Sequence, residues 1–127
     1  MIRIDNTEIK VATWQDVFIG FLKYIKDNQE FAFELILDNQ NDLFGKEETI
    51  VKWIALKGLI DNNVDLTSRY KTFDGKVWDR VKNLTDDVFF IHINISASVC
   101  IARIVNIMNK INMPDNSVEI VLQGKRI

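Results

Sequence analysis

The chain has 127 residues, 47% of them apolar, with a formal net charge of −2 and one cysteine, enough for one hydrophobic core and incapable of an internal disulfide. No uninterrupted apolar run approaches the ~20 residues of a membrane-spanning helix, Met1-Ile2-Arg3-Ile4-Asp5 lacks the layout of a signal peptide, and a single histidine with a single cysteine excludes a Cys/His zinc site. These features predict one soluble cytoplasmic domain over residues 1–127.

From the N-terminus, Ile2-Arg3-Ile4 and Ile9-Lys10-Val11 alternate around Asp5-Asn6-Thr7-Glu8 and predict a β-hairpin. Thr13 is a natural N-cap for a helix from about Trp14 to Asp27, in which Trp14, Val17, Phe18, Phe21, Leu22 and Ile25 recur at helical spacing. Phe31, Leu35 and Ile36, with Phe33 and Leu37 widening the stripe, predict a second helix from Gln29 to about Asp38, ended by Asn39-Gln40-Asn41-Asp42. Glu47 to Ile60 is apolar nearly all round and fits either a buried helix or a strand, length favouring the helix, before an Asp61-Asn62-Asn63 turn.

Residues 69–82 admit two readings. Asp74-Gly75 supplies the positive φ angles of a two-residue hairpin turn. Pairing across it would gather Arg69, Lys71, Phe73, Lys76, Trp78 and Arg80 on one face. The alternative is a short helix capped by Asp74, with Val77, Val81 and Leu84 on its inner side. Further on, Phe89, Ile91, Ile93 and Ile95 alternate with Phe90, His92 and Asn94 and predict a strand over Val88–Ile95 buried on one face. Ser96 caps the next helix, whose apolar stripe is Cys100, Ile101, Ile104, Met108 and Ile111 and which Pro114 closes. After the Asp115-Asn116-Ser117 turn, Val118–Leu122 is a strand expected to return beside the Val88–Ile95 strand. The fold class expected is α+β: a small mixed sheet of the N-terminal hairpin and these two strands, packed by amphipathic helices.

Charge is unevenly spread. Residues 1–50 hold five basic against ten acidic side chains, a net −5; residues 51–82 hold seven against four, a net +3. The Arg69, Lys71, Phe73, Lys76, Trp78 and Arg80 face is the candidate for a nucleic-acid or protein partner, since cations meet phosphates and rings stack on unpaired bases. His92, Asn94 and Ser96 form a candidate anion site, where a strand face ends at the free N–H groups of a helix start. In each case the plain alternative is packing and solvation: Phe73 and Trp78 in the core, Ser96 as a cap, His92 partly exposed on its strand. Cys100 lies within an apolar stripe and is a poor nucleophile for a pair with His92. Glu30, Glu34, Asp38 and Asp42 follow helical spacing and read as a solvated face rather than a metal site. The five glycines never cluster into a phosphate loop, and no cofactor is expected.

The run Phe90-Ile91-His92-Ile93-Asn94-Ile95-Ser96-Ala97, with the following helix and the Val118–Leu122 strand, resembles a small uncharacterised domain in which an Asn-Leu-Ser-Ala turn joins strand to helix. Val11-Ala12-Thr13-Trp14-Gln15-Asp16-Val17 is similar to the same pattern. That domain often ends bacterial proteins linked to restriction and antiphage defence. The resemblance leaves residues 40–85 unmatched and implies an accessory role.

Three functions are therefore expected in order. The first is a non-enzymatic interaction module contacting protein or nucleic acid, not membrane, through Arg69 to Lys82. The second is a small acidic immunity- or inhibitor-type protein that blocks a basic toxin or nuclease; its mark would be an exposed cluster of Asp27, Glu30, Glu34 and Asp38 beside aromatic anchors. The third, a metal-dependent nuclease, needs acidic side chains and a lysine to converge, which no spacing here predicts. The sequence does not fix the oligomeric state.

Overall fold

A computed structural model describes residues 1–45, 49–62, 68–122 and 125–126. The chain opens with a hairpin, as expected, of β1 (Ile2–Ile4) and β2 (Thr7–Ile9), paired antiparallel with Ile2 opposite Ile9; the second strand starts at Thr7 and not at Ile9, because the turn closes over two residues instead of four. Its turn uses Asp5 and Asn6, both at positive φ (48° and 75°), the residue types whose short polar side chains tolerate that region best. Helix α1 (Trp14–Asn28) starts at a capping box: the Thr13 hydroxyl accepts from the Asp16 N–H at 3.2 Å and Asp16 Oδ2 accepts from the Thr13 N–H at 3.3 Å. Val17, Phe18, Phe21, Leu22 and Ile25 are wholly buried. Gly20 sits in the interior of this helix, where a Cβ would meet Ile9, Val11 and Ile2 side chains at 3.6–3.8 Å, ordinary contact distances. Gly20→Ala should therefore stabilise the fold by about 0.5–1 kcal/mol through helix propensity and unfolded-chain entropy; a fall in Tm would show that this helix face has no room.

Helix α2 (Glu30–Asp38) buries Phe33 and Ile36, with Ala32 and Leu37 half-buried behind them. The predicted stripe is thus corrected by a rotation of the helix. Phe31 is 89% exposed and Leu35 39%. α3 (Gln40–Phe44) ends at Gly45 in the left-handed region (φ 75°). The expected helix over 47–60 is instead a strand, β3 (Ile50–Lys52), running straight into α4 (Trp53–Asn62). β3 is held at its free edge by buried Gln40, whose amide donates to the Ile50 carbonyl at 2.9 Å and accepts from the Ile50 N–H at 2.7 Å. Glu47 and Asn63, ends of expected elements, lie outside the described residues.

The strand over Val88–Ile95 is shorter, β5 (Phe89–His92), and buried on both faces rather than one. It is the central strand of a sheet of order β3-β5-β4, with β4 at Tyr70–Lys71, and apolar side chains pack on each of its faces, Ile91 entering one cluster and Phe90 another. Pairing is antiparallel, with Ile50 opposite Ile91, Val51 opposite Phe90 and Tyr70 opposite His92. Helix α5 (Ala97–Lys110) follows, its Ser96 hydroxyl accepting from the Val99 N–H at 3.3 Å and Asn112 turning the chain beyond its end at φ 60°. β6 (Val118–Leu122) returns beside β1, not beside β5 as expected, with Ile2 opposite Ile120; β7 (Lys125–Arg126) adds an edge. The architecture is α+β, but the single mixed sheet is corrected to two antiparallel ones, β2-β1-β6-β7 and β3-β5-β4.

One apolar cluster joins them. Ile2, Ile4 and Ile120 from the first sheet, Ile50 from β3, Ile91 from β5, Ile93 just beyond it, and the inner faces of α1, α2 and α5 share it. Alternation along β5 sends Phe90 the other way, into a second cluster with Val51, Leu56 and Tyr70 that is roofed by Trp53, Trp78, Val81 and Leu84. Among the described residues no helix is long and apolar enough to cross a membrane.

Candidate functional site

The segment after β4 is neither the two-residue hairpin nor the helix. Its chain reverses one residue wider, with the Thr72 N–H on the Lys76 carbonyl at 2.9 Å, Thr72 Oγ1 accepting from the Lys76 N–H at 3.2 Å and Gly75 at φ 77°. Trp78–Arg80 then forms one 3-10 turn. The cross-strand neighbours needed for a single basic and aromatic face are not brought together. Arg69, Lys76 and Arg80 are exposed and Lys71 is half-buried, while both rings are engaged elsewhere. Phe73 packs edge-on against Phe33 (5.9 Å) and Phe89 (6.3 Å), with the Lys26 ammonium 5.6 Å from its centroid; Trp78 stacks on Trp53 at 5.4 Å and 19°. Nearby Lys52 and Lys57 face Asp87 and Asp86 at 3.4 and 3.9 Å, lowering the local positive charge.

The strand-to-helix junction is also divided. His92 is only 8% exposed, its ring edge-on to Tyr70 at 5.2 Å and its N–H on the Thr49 carbonyl at 2.7 Å. Asn94 and Ser96 are exposed, and the Ser96 hydroxyl is 3.1 Å from that of Ser98. The expectation that His92 is partly exposed and shares an open face with Asn94 and Ser96 is corrected: His92 is buried on the same face of β5 as Phe90, its ring against Tyr70, while Asn94 and Ser96 lie beyond the end of the strand in solvent.

Cys100 is wholly buried, its Sγ 3.6 Å from the Trp14 carbonyl, and burial pushes the thiol up to about 12 from an ordinary 9.0, Arg103 pulling weakly the other way. Burial favours the protonated form, so this contribution to stability is complete below about pH 9 and is lost as pH rises toward 12. Urea midpoints of the native chain should accordingly fall more steeply over that range than those of Cys100→Ala. Equal slopes would place the thiol in water.

The surface that does assemble lies on α2 and the end of α1. Asp27, Glu30, Glu34 and Asp38 are all exposed. The last three stand one per turn, about 6 Å apart along the axis. Among the described residues none of the four is in an ion pair. Phe31 follows Glu30 directly and Leu35 follows it one turn on, so an aromatic ring and an aliphatic side chain flank the carboxylate row. A helix break at Gln29 (ψ 69°) separates α1 from α2, which restarts one residue later and so presents Phe31 to solvent instead of to the core. At the far end of α2, residues 37–42 line a cleft of about 260 Å³ that contains Asp38, Asn39, Asn41 and Asp42. Sequence spacing identifies the carboxylates. It does not identify Phe31, which falls on the stripe expected to be buried.

Among the described residues no group of three or more His, Cys, Asp or Glu side chains is placed to hold a metal ion. No family model, curated protein or solved structure matches this chain.

Proposed function

We propose that this protein is a non-enzymatic interaction module that docks a basic protein partner on the α2 face made by Phe31, Leu35 and the Asp27, Glu30, Glu34 and Asp38 carboxylates. The observation that carries this reading is Phe31 at 89% exposure beside a row of acidic side chains that form no ion pair among the described residues. An isolated domain gains nothing from a phenylalanine left in water, whereas a large rigid ring surrounded by charge is the usual composition of an interface anchor with a steering rim. The acidic row raises the encounter rate with a cationic surface and repels anionic ones, nucleic acid included. Such a module is of immunity or inhibitor type, and the resemblance carried by residues 90–97 directs the search for its partner to nucleases and restriction proteins of the host.

Contact with nucleic acid through residues 69–82 draws less support, because Phe73 and Trp78 are packed against other rings and unavailable for stacking on bases. The test is a paired capture from host lysate on immobilised native chain and on Phe31→Ala, at two salt concentrations. A basic protein retained by the native chain, and released by the substitution and by salt, is the expected result. Equal retention on both, or recovery of nucleic acid alone, would rule the reading out.

A further inference from the structure

Arg103 is an interior residue of α5. Only 6% of its surface is exposed, and it lies on the helix face that also carries Cys100, Ile104 and Ile107. An arginine keeps its charge under essentially all conditions, and burying an unpaired charge is among the largest penalties a fold can carry. Native proteins therefore answer a buried guanidinium with a carboxylate or several carbonyl oxygens. Here neither is found. Among the described residues Arg103 has no ion pair, and its Nη1 is fully covered with no hydrogen-bond partner.

Two rings are what the fold supplies instead. The guanidinium carbon is 5.7 Å from the centroid of Phe18 on α1 and 5.4 Å from that of Phe44 on α3. Ring faces attract the charge, but they do not accept the directed hydrogen bonds that five guanidinium N–H groups offer. Among the described residues, the titratable groups whose fields reach it are the Cys100 thiol and the Tyr70 hydroxyl, neither of them a carboxylate. The walls are fixed: Asn106, one turn further along α5, donates to the Leu43 carbonyl at 3.2 Å and ties α5 to α3 beside the arginine.

We propose that Arg103 anchors a binding site for a small oxyanionic group, phosphate or carboxylate in chemistry, where α1, α3 and α5 meet, with Phe18 and Phe44 as its aromatic walls. An oxyanion is the one ligand class that answers both deficits at once, the uncompensated charge and the unfilled donor fork, since guanidinium geometry matches two oxygens of a carboxylate or phosphate. The aromatic walls hold the guanidinium in place before the ligand arrives, so less side-chain entropy is lost on binding. This site is independent of the acidic face on α2.

The experiment follows the Arg103 side chain in the native protein. With ¹⁵N-labelled arginine, the Nε–H resonance of Arg103 is recorded during titration with sodium phosphate and, separately, sodium acetate, against sodium chloride at matched ionic strength. The expected result is a saturable shift of that resonance, accompanied by a rise in Tm, with one of the two oxyanions and not with chloride. Whichever oxyanion saturates at lower concentration identifies phosphate or carboxylate chemistry. Arg103→Met, which keeps a long flexible side chain between the rings, should lose the saturable rise in Tm or weaken its midpoint at least tenfold. Absence of saturation with both oxyanions, or the same response to chloride, would overturn the proposal without reliance on any variant.

Discussion

Replacing Phe90 with alanine is expected to cost the fold about 3–5 kcal/mol, a large part of the 5–15 kcal/mol that holds a domain of this kind together. Phe90 has no exposed surface, lies on the central strand β5 opposite Val51, and packs against Trp53 at 5.7 Å between ring centroids. It belongs to the second apolar cluster with Val51, Leu56 and Tyr70, and truncation to alanine removes the ring on which Trp53 packs. The same substitution at Phe31, one of the eight phenylalanines of the chain, is expected to change stability by less than about 0.5 kcal/mol, since its ring is in water already. Urea unfolding of the two variants with unchanged m-values checks both halves. A large loss at Phe31 would mean that α2 buries the stripe expected from its sequence and not the one observed.

The second large effect concerns binding. With Glu30, Glu34 and Asp38 all changed to lysine, the fold should hold, because none of the three is in an ion pair among the described residues and all are exposed. Affinity for the basic partner should fall at least 100-fold, mostly through a slower association rate and with the sign of the salt dependence reversed. Phe31→Ala should act differently. A central anchor that is truncated typically loses 2 kcal/mol or more, roughly 30-fold, and the loss falls on the dissociation rate. Stopped-flow or surface-plasmon measurements with the purified partner separate the two. If the lysine variant bound as well as the native chain, the carboxylates would be a solvated face and nothing more.

What could be read from the sequence was local. Thr13 before Trp14 and Ser96 before Ala97 each act within four residues of themselves, and each caps the helix expected to follow it; the first turn was legible as falling between Ile4 and Ile9, though not its two-residue length. Strand partners were not legible. Val118–Leu122 and the β5 run are both apolar and alternating, and nothing within either says that the first pairs with Ile2–Ile4 and the second with Ile50–Lys52 and Tyr70. The α2 helix failed for another reason: with Phe31, Phe33, Leu35, Ile36 and Leu37 in nine residues it offers two apolar stripes, and packing against α1 decides between them. Half of the candidate site was therefore visible, as carboxylates at helical spacing, and its aromatic anchor was not. Arg103 did leave a trace. It stands three residues after Cys100 and four before Ile107, on a stripe where a charge has no ordinary place.

Phe31 is the point of contact in the proposed interface, and a photoreactive benzophenone side chain at that position tests this most directly. The amino acid is introduced at position 31 and, as a control on a different helix, at Ile54, which is 58% exposed, and each protein is irradiated in host lysate. The predicted result is a covalent adduct with a basic protein from position 31 alone, lost when Glu30, Glu34 and Asp38 are changed to lysine. No adduct at 31, or adducts of equal yield at 31 and 54, would contradict it.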